Sequence, residues 1–159
     1  MEERLSPDFV MVRRLETLGG LPGKVYPLHP KKNAAPPFCF YVQDTDNEED
    51  ALDGLTGLQH SGYKLHVVAE EYRALSLLCG KIRAKLQRMQ GVFYERSDNG
   101  LVGITIVGQA MPQVAADQLY IERVRVIQAS PDLYETEVGW YRRILDVDFD
   151  YQTERSADT

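Results

Sequence analysis

The chain has 159 residues, two cysteines and a formal net charge of −6, with 43% hydrophobic and 26% charged residues. That length suits one domain over 1–159. The acidic balance argues against general nucleic-acid binding, which needs a basic face, and no run approaches the ~18 apolar residues of a membrane span.

Met1-Glu2-Glu3-Arg4-Leu5 lacks the apolar core of a secretory signal, so the expected place of synthesis and residence is the cytoplasm. Ser6-Pro7-Asp8 reads as a helix start, with Phe9, Val12, Leu15 and Leu18 as its apolar stripe and Gly19-Gly20 as its stop. Val25-Tyr26 reads as a short strand. Pro27 to Pro37 holds four prolines and reads as a loop. Phe38 to Val42 is apolar on both faces and is expected as a covered, central strand. Asp44 to Gly57, acidic and glycine-punctuated, reads as a mobile loop.

Tyr63 to Glu70 alternates as a strand, with Tyr63, Leu65, Val67 and Ala69 on one face. The period then changes to three and four. Tyr72, Leu75, Leu78, Cys79, Ile82, Leu86 and Met89 form one helix stripe, with Glu70 and Glu71 at its start and Gly91 as a C-terminal cap. Gly80 interrupts this helix, and close approach of another backbone would account for it. Val92 to Glu95 suggests a short strand, Ser97 to Gly100 a turn, and Gln109 to Gln118 an irregular stretch. Tyr120 to Ile127 alternates, and Ala129 to Asp132 is a turn. In the last strand Tyr141, Leu145, Val147, Phe149 and Tyr151 share a face, with Arg143 the exception. Arg142, Ile144, Asp146, Asp148 and Asp150 lie on the other. Residues 152–159 are expected to fray.

Few residues invite chemistry. Asp146, Asp148 and Asp150 place three carboxylates along one strand face, but no second cluster converges on them as a cation site requires. Pairing with a neighbouring strand's arginines, such as Arg123 and Arg125, is the plainer reading. Asp44 to Asp50 imitates a calcium loop, yet Glu49 stands where glycine is needed and Leu55 where the bidentate glutamate belongs. His29, His60 and His66 are scattered, and Gly100-Leu101-Val102-Gly103 lacks dinucleotide-binding spacing. Trp140 with Tyr134 and Tyr141 fits a seam where a sheet meets a helix or a neighbouring chain. Cys39 and Cys79 read as two buried thiols, and the sequence leaves their pairing open. No catalytic, cofactor-binding or metal-binding residue is assigned, so the chain is read as non-enzymatic.

Four segments carry a resemblance: Val25-Tyr26-Pro27, the proline-led strand Pro37 to Val42, the strand-into-helix unit Leu65 to Ala74, and the closing Gly139-Trp140-Tyr141-Arg142-Arg143-Ile144-Leu145-Asp146-Val147-Asp148-Phe149. Over roughly residues 9–151 the layout resembles the tail-completion family of long-tailed bacteriophages and prophages, related in role to tail terminators. The resemblance implies an α+β fold: a mostly antiparallel sheet of about four strands, with an N-terminal helix and one long helix packed on one face. It implies a virion protein, made in the bacterial host cytoplasm, that forms a ring at the head-proximal end of the tail. Such a ring, hexameric on the tail, ends the tube and joins it to the head. Its partners would be its own copies, the major tail protein and head-connector proteins, with no cofactor and no sequence-specific nucleic-acid contact. The candidate interface residues are Asp44, Asp46, Glu48, Glu49, Asp50 and Leu55 in the acidic loop, and Arg142, Asp146, Asp148 and Asp150 on the last strand. A head-closure or other connector ring protein is the alternative in the same class. A small-ligand-binding or enzymatic α+β domain is the alternative in another.

Overall fold

The computed structural model describes residues 6–51, 54–96, 100–104 and 114–155, with side chains over 6–44, 59–94 and 118–152 and at Gly103. In chain order the elements are α1 (Pro7–Leu15), β1 (Val25–Pro27), β2 (Phe38–Ala51), β3 (Gly54–Ala69), α2 (Tyr72–Gln87), β4 (Gly91–Arg96), β5 (Gly100–Ile104), β6 (Val114–Gln128), β7 (Leu133–Glu135) and β8 (Trp140–Arg155). The strands form one sheet in the order β1-β2-β3-β8-β6-β4-β5, with β7 also paired to β8. Among the described strand pairs only β1–β2 is parallel. The sheet curls into a half-barrel.

This corrects the expectation of an α+β domain with a mostly antiparallel sheet of about four strands, an N-terminal helix and one long helix packed on one face: the described chain is mostly sheet, with eight strands. The additional sheet comes from segments whose composition reads as loop. The described residues of Asp44 to Gly57, expected as a mobile loop, are 44–51 and 54–57; they continue the β2–β3 hairpin through Thr45↔Gly62, Asp46↔Ser61, Glu48↔Gln59 and Asp50↔Leu55, and residues 52–53 lie outside those described. Strand pairing with a partner already in place outweighs the poor intrinsic preference of Asp, Asn, Glu and Gly. Val114 to Gln118, expected as irregular, opens β6, and β5 occupies Gly100–Ile104. Residues 97–99 and 105–113 lie outside the described residues. Gln152, placed in a frayed tail by sequence, is buried and pairs in register with both Leu58 and Tyr120. Phe38 to Val42, expected centrally, lies one strand from the sheet edge, and Val42 is exposed.

The core follows from the two periodicities. Leu65, Val67, Leu75, Leu78, Ile82, Leu86, Leu145, Val147 and Phe149 lie in one buried cluster, as their alternation and helix stripe predict. The stripe on α2 ends one residue short of expectation: Tyr72 is half-exposed and sets its ring edge against Tyr141, with centroids 5.7 Å apart. On α1 the buried face is rotated. Val10, Met11 and Leu15 are fully buried, while Phe9 lies under the Arg13 guanidinium at 5.1 Å. Gly103 faces Phe93 across the β4–β5 pair, and a β-carbon there would lie 2.5 Å from that ring. The glycine makes room for the aromatic.

Arg143, the exception on the apolar face of β8, is matched on that face. Its Nε donates to Asp132 Oδ1 at 2.8 Å and its Nη2 to Asp132 Oδ2 at 2.9 Å, while Nη2 also reaches Ser76 Oγ at 3.3 Å. A forked guanidinium–carboxylate pair satisfies both groups and ties the turn before β7 to α2.

The two faces of α2 should separate cleanly by mutation. Ile82→Ala removes a fully buried side chain and should lower unfolding free energy by about 2–5 kcal/mol. Leu77→Ala, on the exposed face, should change it by less than about 0.5 kcal/mol. Urea denaturation of both variants checks the assignment; equal losses would refute it.

Candidate interaction face

The face of the sheet carrying Phe40, Lys64, His66 and the β8 carboxylates has two halves. Along β2, β3 and β8 the alternation that buries Cys39, Leu65, Val67, Leu145 and Val147 sends Phe40, Lys64, His66, Ile144, Asp146 and Asp148 to the opposite side. One half is aromatic. Phe40 and His66, opposite in register, stack with centroids 4.3 Å apart, and Phe38 meets the edge of Trp140 at 5.8 Å and of Tyr26 at 6.3 Å. Burial, then the charges of Arg142 and Lys64, hold the His66 imidazole below its usual pKa. His66 Nδ1 and Arg142 Nε have no hydrogen-bond partner among the described residues.

The other half is charged. Lys64 Nζ donates to Asp146 Oδ1 at 2.5 Å and lies 3.7 Å from Asp44. Asp150 accepts from Arg123 Nη2 at 3.1 Å, and its other oxygen lies 2.5 Å from His60 Nδ1. Arg125 stands opposite Asp148 in the β6–β8 register. Cross-strand opposite charges of this kind are modest contributors to stability. The hydrogen bond to Asp146 raises the Lys64 pKa above its ordinary value. Asp148 is also raised, first by burial and then by Asp146 and Asp150 on either side, with Arg125 opposing.

The sequence-derived candidates are therefore distributed unevenly. Lys64 bridges Asp44 of one set to Asp146 of the other. Asp46, Glu48, Glu49 and Asp50 lie on β2 and Leu55 on β3 by backbone, with side chains outside those described. Arg142 pairs with Glu135 at 3.1 Å. Sequence reasoning missed Lys64 and His60 as members of this face. The alternation around Tyr63 and Leu65 places Lys64 outward, but only the β3–β8 register sets it opposite Asp146 and sets His60 opposite Asp150. Among the described residues no group of three or more His, Cys, Asp or Glu side chains is gathered to hold a metal ion. The carboxylates are strung along a strand and matched by cations, an arrangement suited to presenting a fixed charge pattern.

No protein-family model matches the chain. No curated protein matches it. Among solved structures it is similar to a chain of the "Virion of native gene transfer agent (GTA) particle", at 15% identity and a TM-score of 0.43, covering 89% of this chain and 91% of that one.

Titration should distinguish two carboxylates with opposite signs. The Asp132 pKa is depressed, first by its hydrogen bonds from Arg143. Its stabilisation is present above the ordinary carboxylate pKa and is lost as pH falls through the folded value. Asp132→Asn should cost about 1–3 kcal/mol at neutral pH. The Asp148 pKa is raised, so ionising it opposes folding. Asp148→Asn should melt higher than the parent at neutral pH, the advantage vanishing as pH falls through the folded Asp148 pKa towards the unfolded one. Thermal melts of both variants against pH check the signs; parallel curves would contradict them.

Calcium or magnesium should give no heat of tight binding in calorimetry, and chelator should leave the melting temperature unchanged. A chelator-induced drop of several degrees would show a metal site.

Proposed function

We propose that this protein is a non-catalytic virion component of a long-tailed bacteriophage or prophage. In this reading it is a tail-completion protein that forms a hexameric ring at the head-proximal end of the tail, stops tube growth and joins tail to head. Its partners are its own copies, the major tail protein and the head connector.

One observation supports the reading above the others. The four segments that carry the sequence resemblance are far apart in the chain, yet they assemble into one contiguous unit. Val25–Pro27 is β1, the proline-led segment enters β2, Leu65 to Ala74 is the end of β3 running into α2, and Gly139 to Phe149 enters β8. Their order in the sheet is β1-β2-β3-β8 without interruption. The resemblance thus covers a packed structural unit with its own register. The charged half of the adjoining face supports the same reading, because ordered, matched charges favour specific orientation in assembly more than raw affinity.

The test is electron microscopy of particles made with this gene inactivated in its parent phage or prophage. Separate heads and tails, with tubes of uncontrolled length, are expected. Normal joined particles would overturn the assignment.

A further inference from the structure

The side of α2 that faces away from the sheet has its own pattern. Arg73, Leu77, Gly80, Lys81, Ala84 and Arg88 recur at three and four, and all are exposed, Leu77 by 58%. Gly80 sits mid-helix, where glycine weakens a helix relative to alanine. A β-carbon at Gly80 would meet nothing within 4 Å, so no described contact of this chain demands glycine there. Beside it, Ala74, Leu77 and Lys81 line a groove of about 360 Å³ that Gly19, Pro36 and Pro37 also border, with Glu70 and Glu71 at the helix N-terminal end, away from Gly80, Ala84 and Arg88. An exposed leucine, a groove and small residues at one helix turn's spacing together form a surface that another backbone can approach closely.

Charge selects the occupant. Residues 6–37 and 70–90, which include both helices, hold ten Lys and Arg against four Asp and Glu, while the rest of the chain holds eight against twenty. The densest acidic run is Asp44, Asp46, Glu48, Glu49 and Asp50, all on β2. On its outer side β2 is covered by β1 only at Cys39, Phe40 and Tyr41, and no described strand pairs with that side beyond them. One copy therefore carries both a basic, small-residue helix face and an acidic strand edge. A nucleic acid would meet the same helix face but be repelled by the acidic remainder.

We propose that the outward face of α2 receives the acidic outer half of β2 from a second copy of this chain. The contact is heterologous, helix face to strand edge, so repetition closes a ring at a suitable rotation. It rests on the ring reading given above and supplies that ring's subunit contact. Opposite charge orients the approach, and Gly80 with Ala84 admits the incoming backbone.

The test is sedimentation velocity of the full chain over a wide concentration range at low and high salt. The wild type should associate at low salt and dissociate as salt screens the contact. Gly80→Leu should stay monomeric while melting about 2–4 °C higher, since leucine is the better helix former. Lys81→Glu with Arg88→Glu, and separately Asp46→Lys with Glu48→Lys, should each weaken association by at least roughly tenfold. Mixing those two double variants should restore it, because each supplies the charge the other now needs. The proposal is overturned by a wild type that remains monomeric at low salt, by Gly80→Leu associating like wild type, or by a mixture that fails to recover. Binding of a DNA duplex that the Lys81/Arg88 variant loses, without self-association, would also overturn it. Association through another face removes this contact and leaves the ring reading standing; normal particles without the gene remove the ring reading itself.

Discussion

The ladder between β3 and β8 is the constraint on which the rest of the molecule depends. It runs without a register shift from Leu58↔Gln152 to Ala69↔Tyr141. Side chains alternate with period two, so a slip of one residue by either strand would turn its apolar side chains to the face opposite its partner's. The unbroken ladder holds Leu65, Val67, Leu145, Val147 and Phe149 against the helices and Lys64, His66, Asp146 and Asp148 on the other side. The burial that fixes the register also fixes the charge pattern. A slip of β8 would turn Asp146 and Asp148 towards the core and bring Leu145, Val147 and Phe149 out of it, which neither hydration nor packing would tolerate.

The neighbouring ladders do shift, and the shifts have a purpose in the packing. Between Ile121 and Arg123 the β6–β8 register moves by one, leaving Glu122 as the extra residue. Leu119 and Ile121 are buried before it, and Val124 and Val126 after it. The bulge changes the parity of β6 where the hydrophobic pattern changes parity, and it brings Arg123 and Arg125 opposite Asp150 and Asp148. A similar shift between Gln43 and Thr45 in β2 falls at Asp44, which lies near Lys64.

Much of the core was legible because α2, β3 and, apart from Arg143, β8 each present a continuous apolar face, which leaves one way to pack. The extent of the sheet was not. Asp44 to Asp50 has the composition of a loop, and only its pairing with Gln59 to Gly62 makes it a strand. Pairing is long-range information that local pattern does not contain. Arg143 was legible as an exception but not as half of a pair, since Asp132 lies in a turn with no periodicity to aim it. The rotated face of α1 has a smaller cause: in nine residues, stripes offset by one position bury nearly equal apolar surface. For the candidate face, Asp146, Asp148 and Asp150 could be placed on one side of a strand and Arg123 and Arg125 named as their partners, as the β6–β8 ladder bears out, whereas Lys64 and His60 depended on the β3–β8 register.

The placement of polar groups gives the molecule unlike ends. At the end where β3 turns into α2, Arg143 spans Asp132 and Ser76, and the rings of Tyr72, Tyr134 and Tyr141 pack together. That cluster locks helix, turn and sheet to one another, because a charge taken into the core can be kept only while its partner stays in place. Towards the opposite end of β3, the last side chain described as buried is Ser61, hydrogen-bonded to Tyr151 at 3.1 Å. The hairpin itself continues to Ala51 and Gly54. There the chain continues as a paired backbone ladder through an acidic sequence. Acidic side chains on the ladder's edge also discourage indiscriminate strand pairing between copies, so any partner of the hairpin must offer a basic surface as well as a shape.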